Sequence, residues 1–88
     1  MKSMRNESEH KIKRIPVESS MIAAVGYDPE HWVLYAEFFN GGKIYAYENV
    51  QPATFKKLLK SGSVGRFMRD EIIDFYPYFP VNRRHFRW

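Results

Sequence analysis

Five cations, Lys56, Lys57, Lys60, Arg66 and Arg69, fall within fourteen residues with no acidic residue among them. Positive charge at this density suits the holding of phosphates. Lys56 and Lys60 stand four apart, so a helix carries both on one face at a repulsive cost of about 0.2–0.5 kcal/mol, which an anionic backbone would relieve. The step Ser63-Val64-Gly65 reads as the start of a helix. Its free N–H groups and positive dipole end favour an anion, and Gly65 would let one approach closely. Contacts of this kind supply affinity without reading sequence. Tyr45 and Tyr47 stand two apart, so an extended strand projects both rings from one face. Together with Tyr35 they could stack unpaired bases, at about 1–3 kcal/mol per base, or they could support the sheet as core. One face cannot serve both ends.

Catalytic groups are scarce. His10, His31 and His85 are far apart in sequence, and a nucleophile–base arrangement would need one of them to meet Ser19, Ser20 or Ser63 in space. Asp28 and Glu30 flank Pro29 and are accounted for by turn chemistry. The histidines show no HxH or HxxxH spacing, and there is no cysteine, so neither a metal set nor a thiolate site is indicated. Asn40-Gly41-Gly42 joins strand to strand, unlike a phosphate-binding loop that joins strand to helix. The expectation is a protein without catalytic residues, metal or cofactor.

The chain has 88 residues, a net charge of +4 and fifteen aromatic residues, which bounds it to one folded unit with enough bulky side chains to build a small core. The N-terminal charges are followed by no apolar segment, and no apolar run nears the roughly 20 residues that span a bilayer. A soluble, cytoplasmic protein with no membrane partner is expected.

The elements that must position these groups follow from period and punctuation. Residues 1–16 are polar and rich in Lys and Arg, and read as a flexible basic arm closed by Pro16. The folded unit is expected over 17–80. Residues 21–27 form a short apolar run, with Met21, Ala23 and Val25 on one face and Ile22 and Ala24 on the other. After a turn at Asp28-Pro29-Glu30-His31, residues 32–39 form the clearest strand: Trp32, Leu34, Ala36 and Phe38 on one face, Val33, Tyr35, Glu37 and Phe39 on the other. The Asn-Gly-Gly turn then makes a hairpin with residues 43–48. Pro52 suits the first position of a helix, with Phe55, Leu58 and Leu59 inward. Gly62 stops that helix, and Ser63 caps a second one running to Phe75, whose inner stripe includes Val64, Ile72 and Phe75. Tyr78 and Phe79 are expected to fold back on the body, and 81–88 to form a basic, aromatic tail. The fold class is α+β: a three-stranded antiparallel meander packed against two C-terminal helices.

In this order the features resemble a known family. Ser19 and Ser20, Val25-Gly26-Tyr27-Asp28, Phe38 or Phe39 with Gly41 and Gly42, the central Tyr45-Ala46-Tyr47, Asn49-Val50, then Phe55, Leu58 and Leu59, Ser63-Val64-Gly65, and Phe67 with Ile72 are together similar to the KTSC domain. That domain is found at the C-terminus of some lysyl-tRNA synthetases and as small stand-alone bacterial proteins. The resemblance covers residues 18–76. Gln51 intervenes where the family runs Val-Pro directly, and Met68 stands in place of a small polar residue. Association with a tRNA-charging enzyme implies RNA binding, an inference from neighbourhood alone.

Two expectations about function follow. The first is a non-catalytic domain binding RNA, tRNA included, or another single-stranded nucleic acid through Lys56, Lys57, Lys60, Arg66, Arg69, Gly65, Tyr45 and Tyr47. The second is a protein-interaction module, by self-association or by docking to an RNA-handling partner. It would use Trp32, Tyr76, Tyr78, Phe79, Phe86 and Trp88, residue types that dominate interface hot spots.

Overall fold

Alternation of apolar side chains with period two places a sheet at the centre of the molecule, and both of its faces are covered. The computed structural model describes residues 12–84, 86 and 88; of the expected N-terminal arm, 1–11 lie outside the described residues. Five strands run in sequence order through one antiparallel sheet: β1 (Ile15–Pro16), β2 (Ile22–Asp28), β3 (Val33–Phe38), β4 (Ile44–Tyr47) and β5 (Tyr78–Val81). Helix α1 (Pro52–Lys60) and helix α2 (Val64–Phe67), which continues as a π-helical turn (Met68–Ile72), lie between β4 and β5 in the chain.

The expected three-strand meander is therefore the centre of a wider sheet. Both additional strands contain proline, which reads as a strand breaker but is tolerated at a sheet edge. Val17 N–H donates to Ala23 O at 3.2 Å, and Glu48 N–H donates to Pro77 O at 2.9 Å. Ladder alternation from these bonds turns the ring nitrogens of Pro16 and Pro80 away from their partner strands. Each outer edge thus lacks one donor for a further strand, which limits edge-to-edge association.

Register decides which side chains meet the helices. Ile22 pairs with Phe38 and Val25 with Ala36, with a bulge between Ile22 and Ala24. The extra residue puts Ile22 and Val25 on one face, correcting the plain alternation expected for residues 21–27. The helix-side core comprises Ile22, Val25, Leu34, Ala36, Tyr47, Val50, Leu58, Val64, Met68 and Ile72, with Tyr27, Phe38, Tyr45 and Phe55 packed against it. Trp32 belongs to the β2–β3 turn with φ 58°, not to the strand.

Pro52 stands at the first position of α1, and Ser63 Oγ accepts from Arg66 N–H at 3.2 Å, capping α2. Leu59 is 42% exposed, and only Leu58 of α1 is fully inward. The second helix ends at Ile72, where Ile73 N–H donates to Met68 O at 2.7 Å, five residues back. Ile73 is extended and Asp74 has φ 75°, so Phe75 is thrown outward at 67% exposure and leaves the expected inner stripe.

Candidate nucleic-acid interface

On α1 the three lysines occupy the side opposite the core. At about 100° per residue, Lys56, Lys60 and Lys57 span one arc, and buried Leu58 with half-buried Phe55 points the other way. All three lysines are exposed. Among the described residues the ion pairs are Arg14–Glu37, His31–Asp28, Arg66–Asp70 and Arg83–Glu37, and none takes a lysine of α1.

The second group of cations sits differently. Arg66 and Arg69 are exposed on the other helix, three positions apart, and Arg66 lies 3.9 Å from Asp70. An open groove of about 400 Å³ beside them is lined by Ser61, Gly62, Ser63, Arg66 and Phe67, but also by Asp70 and Glu71. Two carboxylates in the groove weaken its appeal to phosphate. Gly65 does not admit an anion: it is buried, and a Cβ there would sit 3.0 Å from Ser19 Oγ. Ser19 Oγ itself accepts from Met21 N–H and Ile22 N–H, each at 3.0 Å, bending the chain into β2. Gly65 is small so that this turn can pack against the helix start.

The tyrosine pair divides. Tyr47 is 3% exposed beneath the helices, so no base can stack on it; the correction follows from helix cover on that sheet face. Burial, then the neighbouring Tyr78, Tyr45 and Asp74, push its phenol up to about 12. Tyr45 is half-buried, edge-on to Phe38 at 5.6 Å and to Tyr78 at 5.5 Å. Tyr35 lies on the opposite face, its ring tilted 35° against Phe86 with centroids 4.6 Å apart.

That opposite face gathers residues that no spacing signal linked. Arg14 Nε donates to Glu37 Oε1 at 3.0 Å and its guanidinium lies 5.9 Å from the centre of a Trp88 ring. Arg83 Nη1 donates to Gly42 O at 2.7 Å and lies 3.6 Å from Glu37 Oε2. These partners are separated by more than twenty positions, and only the sheet brings them together.

At the other end of the sheet, the β2–β3 turn brings donor atoms of Asp28, Glu30 and His31 within 4.8 Å of one another. The arrangement is the expected turn chemistry: Glu30 N–H donates to Asp28 Oδ1 at 3.0 Å, and His31 Nδ1 meets Asp28 Oδ2 at 2.8 Å. Burial raises the Asp28 carboxyl, but the hydrogen bonds from His31 and Glu30 outweigh it and the net shift is downward; the same hydrogen bond raises His31. His10 and His85 lie outside the described residues. Among the described helices none is long and apolar enough to cross a membrane.

Sheet order, helix placement and surface define a small α+β domain with a five-stranded antiparallel sheet, two helices on one face and basic side chains outside. The chain belongs to the KTSC domain family, whose model matches residues 18–76. It is 42% identical over 55 residues to an uncharacterised protein of Stutzerimonas stutzeri, covering 62% of this chain and 76% of the relative. It is 51% identical over 53 residues to a protein of Tsukamurella paurometabola, covering 60% and 78%. The crystal structure of a KTSC domain protein from Yersinia pestis is similar with a TM-score of 0.77 at 30% identity, covering 81% of this chain and 99% of that one.

Proposed function

We propose that this domain is a non-catalytic binder of RNA or single-stranded nucleic acid that holds the phosphate backbone on the outer side of α1. The observation that carries the reading is the arc of Lys56, Lys57 and Lys60, exposed, opposite the core and outside every ion pair of the described residues. Arg69, exposed on the second helix, adds to the field, and Arg66 contributes less because Asp70 shares it. The net charge of +4 draws polyanions toward the molecule before contact.

Three lysines neutralising three phosphates of a single strand give a salt slope near −2, so binding weakens roughly 20-fold between 50 and 200 mM salt. The test is an NMR titration of the full chain with tRNA and with single-stranded oligonucleotides at those two salt concentrations. Signals of 56–69 should shift at low salt, and the joint change Lys56→Glu, Lys57→Glu and Lys60→Glu should abolish the response. An unchanged spectrum at low salt with near-millimolar ligand removes the reading.

A second reading rests on exposed aromatics. Trp32, Phe39, Phe75, Tyr78 and Phe79 each leave a large fraction of their surface in solvent, as an interface with a protein partner or a second copy would require. Complex formation through them should barely respond to salt.

A further inference from the structure

Three grooves meet at the end of the sheet that carries the Asn40–Gly42 turn, and they share walls. One, about 220 Å³, is lined by Phe38, Asn40, Gly41, Lys43 and Tyr45. The next, about 360 Å³, shares Gly41, Lys43 and Tyr45 with it and adds Pro80, Val81 and Arg83. The third, about 210 Å³, shares Pro80 and Val81 and adds Tyr35, Phe79 and Phe86. The run passes from the helix side of the sheet, around the end of β5, to the opposite face. It has aromatic rings at both ends and cations in the middle.

We propose that this run binds unstacked nucleotides of a single strand, one base against Tyr45 and another against Phe79 and Phe86, with the phosphates between them at Lys43 and Arg83. Phe79 is 45% exposed, enough to present a ring to a base. Lys43 is exposed and outside every ion pair of the described residues. Arg83 commits one nitrogen to Gly42 O and keeps further donors for a phosphate. The carboxylate nearby, Glu37, is held by Arg14 and Arg83, which offsets its repulsion of an anion. Gly41 and Gly42 have φ 76° and 63°, a turn that glycine forms without strain and that puts no side chain over the groove mouth. Aromatics next to cations around a narrow groove favour single strands, because a duplex keeps its base faces stacked.

The proposal rests on nucleic acid as ligand but uses residues separate from those of α1, so the two can fail independently. The experiment titrates the full chain with a short oligothymidylate and with a blunt duplex of equal length. Amide signals of Lys43, Tyr45, Val81 and Asn82 should move with the single strand and stay in place with the duplex. Phe79→Leu, which keeps apolar bulk, should weaken single-strand binding about fivefold or more, and Phe79→Tyr, which keeps a stacking ring, should restore it. Lys43→Glu should flatten the salt slope by about 0.7. Charge reversal on α1 should weaken both ligands alike. Single-strand binding that is indifferent to Phe79→Leu and Lys43→Glu but lost on reversing α1 overturns the groove and keeps the backbone reading. No response to either ligand overturns both.

Discussion

The two faces of the sheet are built by different means. The helix-side face is closed by α1 and α2 through large apolar side chains, Leu58, Met68 and Ile72, all fully buried against Leu34 and Val25. The opposite face is closed by residues before β1 and after β5: Ile12 packs at Gly26, and Phe86 and Trp88 lie over Tyr35 and Gly26, tied by Arg14 and Arg83 to Glu37. The family match, 18–76, includes both helices and stops short of Ile12, Arg14, Arg83, Phe86 and Trp88. The second cover is thus built by residues outside the segment that the family model matches.

If so, damage on the helix side should be global. Met68→Ala removes a fully buried side chain from a π-helical turn whose bond from Ile73 N–H to Met68 O fixes the helix end. The expected loss is about 2–5 kcal/mol, measured by chemical denaturation. A protein of this size has little stability to spare, and signals on both faces should be lost in one transition. Retention of a folded helix side in this variant would break the contrast between the faces.

Titration of two tyrosines compares the faces directly. Burial raises Tyr35, with the charge of Asp28 adding to it, while burial and neighbouring phenols carry Tyr47 from 10.0 to about 12. A raised native pKa means that the neutral phenol stabilises the fold. That stability is fully present below pH 10 and is lost as pH rises toward 12. For Tyr47 the rise from 10.0 to about 12 corresponds to about 3 kcal/mol at most. Stability at pH 8 and at alkaline pH, read in the parent and in Tyr47→Phe, should show the alkaline loss largely removed in the variant. Tyr35→Phe should remove less.

The same division marks what the sequence made legible. Residues 33–38, the Gly41–Gly42 turn, Pro52 at a helix start and Ser63 as a cap were readable because each is a local signal of period or backbone chemistry. Ile15–Pro16 and Tyr78–Val81 were not, because a proline inside a short segment argues against a strand until the segment is known to lie at an edge. The bulge before Ala24 was hidden as well, since one inserted residue exchanges the faces without changing composition. Of the candidate site, the lysine arc followed from helical spacing alone. Burial of Tyr47 did not, because alternation says that two tyrosines share a face and not which face the helices cover. The association of Lys43, Arg83, Tyr45 and Phe79 depends on β5 pairing with β4, a contact with no local signature.

The smallest expected effect tests the cover on the second face. A Cβ on Gly26 would stand 2.7 Å from Ile12 Cγ2, 2.9 Å from Lys13 O and 2.9 Å from Trp88 Cε3. Two of these atoms belong to side chains that can rotate, but Lys13 O is backbone, so the N-terminal cover itself must shift. Gly26→Ala should cost about 1–2 kcal/mol, at the low side of overpacking because two of the three close atoms lie on side chains that can rotate away. The decisive readout is local. The Trp88 indole and Ile12 methyl signals should move toward exposed values, and Arg14 should lose its place over the indole. The Met68 and Leu58 methyl signals should stay where they are in the parent. Equal disturbance on both sides of the sheet would mean that the two covers form one cooperative core, and that the segments flanking the sheet are as much a part of the fold as the helices.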